Sequence, residues 1–315
     1  WIFLLVFLVY FMANPIVFPT INLLLKNSYS HKNFGKYYSY ATSVNKVVML
    51  LATFAFGIWL DHDPYIFRWI YPVLGLLGIL SVYLLTKIDF VPRQSHFKKG
   101  FWISIKLSVR RMRRIILKHK AYRDFEIGFM FYGFAFMGSA AVLTIFFERE
   151  LHLNYTSVAT YKNAYNILAI LFLPFFGKLI GKVDPRTFAI YTFGSLMLFI
   201  AFLGVTYYWE NWVMIGTFKL YYSVGVAYLF YGVFAATMAL LWNIGSAYFA
   251  RNEDAGDYQA IHLSLTGFRA LFAPIIGVFA YETMGYFNTF MLGVVALLIG
   301  IVIMLYSLKS RSRSQ

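Results

Sequence analysis

Apolar residues dominate this chain in long runs, each about twenty positions, before polar or turn residues interrupt them. The apolar core of a bilayer is about 30 Å thick and takes roughly 20 residues of helix to cross, so runs of this length read as membrane spans. Nine are predicted: 1–25, 38–60, 69–86, 127–147, 157–180, 187–208, 220–250, 258–281 and 286–308. The period-two alternation of a membrane barrel strand is absent from them. With no water in the lipid core to satisfy backbone groups, the predicted class is all-α, a polytopic helical bundle.

Charge orients the bundle. Of the 28 Lys and Arg, 22 fall on alternate connections: Lys26, Lys32 and Lys36, then twelve between Lys87 and Arg123, then Lys178, Lys182 and Arg186, then Arg251, then Lys309, Arg311 and Arg313. Cytoplasmic loops retain positive charge, so that side is expected to be cytoplasmic, and the C-terminus with it. We expect an integral protein of the plasma (inner) membrane.

Composition agrees. Sixty per cent of the 315 residues are hydrophobic and 13% charged, too few charges for the polar skin of a water-soluble protein. The absence of cysteine excludes a disulfide framework, a thiolate metal site and a cysteine nucleophile. A net charge of +15 could suggest a nucleic-acid partner. None is expected, because the charge sits in a few tethered loops that carry no recognisable binding module. The basic connection, residues 98–123, interleaves Trp102, Ile105, Met112, Ile115 and Ile116 with Lys106, Arg110, Arg111, Arg113, Arg114 and Lys118. That pattern suits an amphipathic helix on an anionic leaflet, making membrane lipids a partner, and equally a solvated linker.

The chain opens on Trp1 in an apolar run, and nine spans with a cytoplasmic C-terminus put its start on the far side. Three further helices ahead of Trp1 would restore the parity, and on that count the chain is expected to be truncated.

The connection after the fifth span reads Gly177-Lys178-Leu179-Ile180-Gly181-Lys182-Val183-Asp184-Pro185-Arg186. It resembles the second copy of the signature loop of the major facilitator superfamily, with Gly181 where that signature carries Asp and Asp184 where it carries its second Gly. Asn33-Phe34-Gly35-Lys36-Tyr37-Tyr38-Ser39 resembles the turn into the fifth helix of such transporters, and Phe67-Arg68-Trp69 the entry to the sixth. The resemblance covers essentially the whole chain. It implies nine helices of a twelve-helix fold: a partial three-helix bundle at 1–86, a cytoplasmic connection at 87–125, a six-helix bundle at 126–308 and a tail at 309–315. It also implies a secondary transporter moving a small solute by alternating access about a midplane site. Gly177, Lys178, Lys182 and Arg186 would form the gating motif, with Gly177 allowing close helix packing.

Charges inside spans are candidate functional groups, because one at the bilayer centre costs about 2.5–3.5 kcal/mol. Three occur, all basic. Arg269 falls near the midplane of its span, where it binds substrate or pairs with backbone carbonyls or with a carboxylate on one of the helices expected ahead of Trp1. Lys46 and Lys162 are candidates closer to helix ends, from which long side chains can also reach the interface. The thirteen acidic residues fall in connections or at span ends, and the coupling ion stays open. Asn14, Asn22, Asn45, Asn163, Asn166 and Asn243 offer polar lining or interhelical hydrogen bonds. Tyr132, Tyr161, Tyr165, Tyr228 and Tyr231 are aromatic candidates. Glu253, Asp254 and Asp257 suit helix capping. His262 has no second ligand at helical spacing, so no metal is expected, nor any cofactor. The rivals to a transporter are a lipid-modifying membrane enzyme and a non-transporting receptor or scaffold.

Overall fold

The computed structural model describes residues 5, 9, 31–88, 100–180, 182–209, 211–249 and 255–312. Two compact units form: Trp1–Ala52 with Asp63–Lys98, and Thr53–His62 with Lys99–Gln315.

In the first unit lie the early part of α1 (His31–His62) and α2 (Phe67–Leu85). None of the 19 residues of α2 is buried, although the helix is strongly apolar. Such a surface suits lipid, not water. Near its two ends stand basic groups over aromatic rings: Arg68 is 4.7 Å from the Tyr65 ring and Lys87 4.9 Å from Tyr83. Those are interfacial anchors, apolar at one end and wet at the other.

The second unit holds α3 (Phe101–Lys118), α4 (Lys120–Ile145), α5 (Tyr155–Ile180), α6 (Pro185–Val205) and α7 (Tyr222–Ile244). The helical run Ala255–Ser312 breaks at Gly285, whose φ of 76° is left-handed and suits a residue without a Cβ. We call its two parts α8 and α9. Among the described residues six stretches are long and apolar enough to cross a membrane: Val44–His62, Phe67–Leu85, Lys120–Glu150, Pro185–Val205, Tyr222–Trp242 and Asp257–Ser310. The last covers two predicted spans, with the Gly285 break between them. The predicted span 1–25 lies outside the described residues save Leu5 and Val9.

Packing is by close approach and by aromatic fill. At Gly138 on α4 and Gly277 on α8 the two backbones meet where a Cβ on Gly277 would overlap Gly138, the small-residue contact that membrane helices favour. Phe125, Phe129, Phe146, Phe188, Phe193 and Phe290 are fully buried and fill the core. The first turn of α5 is capped from α1, since the Asp61 carboxylate accepts from the backbone N–H of Tyr155 (2.7 Å) and Thr156 (2.8 Å). That satisfies two donors a helix start leaves open.

Two features depart from the sequence reading. A short antiparallel hairpin, β1 (Trp212–Ile215) and β2 (Phe218–Tyr221), lies in the connection before the predicted span 220–250 and takes its first residues, Leu220 and Tyr221. Lys219 fixes it by donating to the Leu151 carbonyl at 2.9 Å while lying 4.6 Å from the Trp212 ring. Secondly, α4 begins at Lys120, several residues before the apolar run at 127, because its first turns are mixed in polarity and still pack. Glu126 thereby falls inside a helix, where it is 3% exposed.

Candidate functional site

Three helices bring a cluster of buried polar groups together in the second unit. On α4, Glu126, Phe129, Tyr132 and Gly133 recur at the three- and four-residue spacing that places side chains on one face. On α8, His262 and Arg269 are seven residues apart and share a face in the same way. From α7 comes Trp242, whose ring meets the His262 imidazole edge-on at 4.7 Å. Phe129 meets it from the other helix at 4.9 Å.

The Nδ1 atom of His262 lies 3.1 Å from each carboxylate oxygen of Glu126, a pair with both members almost fully buried. With Glu126 ionised its carboxylate can only accept, and Nδ1 is then the donor of the pair. Arg269 is 2% exposed, and its Nη1 donates to the Phe129 carbonyl. Its guanidinium lies 5.4 Å from the Tyr132 ring and 6.0 Å from that of Trp242. Gly133 makes the room, since a Cβ there would overlap the guanidinium. Two nitrogens of this cluster, His262 Nε2 and Arg269 Nε, are buried with no hydrogen-bond partner among the described residues. Leaving such a group unmade costs about 1–3 kcal/mol, more when it is charged.

The family model of the Major Facilitator Superfamily matches residues 1–261. The chain belongs to the Major Facilitator Superfamily. It is an integral membrane protein of a family made up in general of secondary transporters, not enzymes, that carry small solutes. Among curated proteins none matches it.

The candidates read from the sequence are dispersed in this facilitator. Arg269 and Tyr132 belong to the cluster. Tyr132 stacks on Phe193 at 5.1 Å, and an aromatic path runs from it through Phe234 and Tyr231 to Tyr228. Tyr228 lies there against Tyr161, Tyr165 and Phe199. Lys162 is exposed on α5, although the next residue, Asn163, is buried, its Oδ1 without a hydrogen-bond partner among the described residues. Lys46 is half-buried in the first unit. Asn14 and the side chain of Asn243 lie outside the described residues.

In the loop read as a gating motif, Arg186 is 1% exposed. Its guanidinium grips Asp184 through two bonds, of 3.0 and 2.8 Å, and reaches the Ser307 carbonyl and hydroxyl on α9. Asp184 is also the N-cap of α6, with Pro185 in the first turn. Lys178 and Lys182 are exposed. Around Gly177 nothing described lies within 4 Å of where a Cβ would stand, so the described residues make no close approach to it.

Sequence reasoning missed Glu126, Gly133 and Trp242 as members of the site. His262 looked isolated because its partner comes from another helix. The available signal was a carboxylate at the margin of an apolar run, seven residues ahead of a glycine.

Proposed function

We propose that this facilitator moves a small anionic solute, bearing a carboxylate or a phosphate, across the membrane by alternating access, with Arg269 as the principal anion ligand. The observation that carries this reading is the pair of buried, unpartnered nitrogens, Arg269 Nε and His262 Nε2, in one cluster. A guanidinium has a fork of donors that matches a carboxylate or phosphate, and only part of that fork is used by the Phe129 carbonyl. An incoming anion completes it and neutralises a charge that is costly at that depth.

His262 adds a proton to the same event. While Nδ1–H faces the charged Glu126, Nε2 of a neutral imidazole is an acceptor and repels an anion. Protonation turns Nε2 into a donor, so anion and proton bind better together than apart. The groups facing the imidazole are Glu126, Phe129 and Trp242. The aromatic path from Tyr132 to Tyr228 supplies apolar and stacking surface for the rest of the solute.

In this reading the connection 87–125 separates the two half-bundles, the basic loops and C-terminus are cytoplasmic, and the membrane is the plasma membrane. The test is uptake into liposomes holding the reconstituted protein, with labelled carboxylates and phosphate esters set against neutral analogues. Saturable uptake of an anion, stimulated by an inward proton gradient, is expected. Uptake confined to neutral or cationic solutes refutes the assignment.

A further inference from the structure

From the surface of α3 we infer that this helix is a docking arm for an anionic membrane leaflet. Trp102, Ile105, Val109, Met112 and Ile116 follow one another at steps of three and four residues and so form one stripe along the helix. Its two ends differ in surroundings. Met112 and Ile116, with Ile115 beside them, pack against the core of the second unit, and Arg111 pairs with Asp257 on α8 at 3.0 Å. Nearer the start of the helix the same stripe is solvent-exposed, Ile105 at 41% and Val109 at 58%. Along the flank run Lys106, Arg110, Arg114 and Lys118, spaced four apart, with Arg113 beside them, all exposed. Among the described residues the ion pairing of α3 is confined to Arg111.

A solvated linker would carry polar residues where Trp102, Ile105 and Val109 stand. A protein-binding face would place acidic and basic groups alternately for register, whereas every charge on α3 is positive. An apolar stripe bordered by a single-sign basic row complements one surface, a bilayer interface whose headgroups are anionic and whose acyl boundary is apolar. The Arg111–Asp257 pair and the packed end hold the helix to the bundle, so the exposed stretch around Ile105 and Val109 is carried on a fixed arm.

The native chain has no cysteine, so Val109→Cys takes a single nitroxide label. The labelled full chain is placed in nanodiscs of phosphatidylcholine alone or of phosphatidylcholine mixed with phosphatidylglycerol. Collision of the label with oxygen, which concentrates in lipid, is compared with collision with a water-soluble nickel chelate. Phosphatidylglycerol is expected to shift the ratio towards oxygen, and Lys106→Gln with Arg110→Gln and Arg114→Gln to abolish the shift. The inference is overturned by a label open to the chelate in both lipids. It is equally overturned by one immersed to the same depth in both, or shielded from both reagents by protein. The two lipid compositions decide the matter on the labelled chain even if the triple variant fails to fold.

Discussion

His262 on α8 and Glu126 on α4 share a bifurcated contact, with Nδ1 3.1 Å from both carboxylate oxygens, that joins two helices inside the bundle. A buried charge-assisted bond of this kind is worth about 1.5–3 kcal/mol. Glu126→Gln keeps a hydrogen-bonding partner for the imidazole and removes the charge that holds its proton. Proton-driven uptake of the anion should fall by about tenfold, because a neutral bond replaces a charge-assisted one that is roughly twice as strong. Exchange of anion across the membrane without a gradient should persist. Equal loss of both would show that the pair only supports the fold.

Gly133 leaves the volume that the Arg269 guanidinium fills. Gly133→Ala puts a methyl group into those atoms, and overpacking of this type costs about 1–3 kcal/mol. Thermal unfolding in detergent should report a lower Tm, and anion uptake should drop with it. Gly177→Ala, where nothing described lies within 4 Å of the new atom, is the control and should leave the Tm unchanged or slightly raised.

Arg186 is a buried ion with a bidentate partner and two further acceptors on α9. Removing one member of a buried pair strands the other and costs about 3–5 kcal/mol. Arg186→Ala should therefore lower the Tm more than Gly133→Ala. Adding Asp184→Ala should cost less than the sum of the two single changes, because the stranded charge goes with it. Additive losses would mean that the two side chains are not coupled.

Single cysteines in place of Arg111 and Glu150 test the sidedness. Labelling in intact cells by a membrane-impermeant maleimide should reach position 150 and not position 111. Reaction at both, or at neither until the cells are opened, contradicts the proposed orientation.

Much of this was legible in the sequence because membrane helices are long and announce themselves by apolar run length. The predicted gap between spans 258–281 and 286–308 falls on the Gly285 break, since a residue free of a Cβ penalty stood between two apolar runs. Arg269 was legible as a lone charge in an apolar stretch. Glu126 was not, because the apolar run starts after it while the helix starts before it. Its partnership with His262 spans 136 residues and depends on two helices meeting, which spacing along one helix does not encode. The hairpin at Trp212–Tyr221 was hidden for a related reason: an apolar strand merges with the apolar helix that follows it.

Arg269 carries the central claim. Lysine can replace its charge but not its fork of donors. The most direct measurement is anion uptake by liposomes bearing the wild-type protein, Arg269→Lys or Arg269→Ala, at matched amounts of folded protein. The account predicts that Arg269→Lys loses most of the saturable anion uptake and Arg269→Ala all of it, with membrane insertion retained by both. Wild-type rates in both variants would contradict it and leave Arg269 as a structural link to the Phe129 carbonyl.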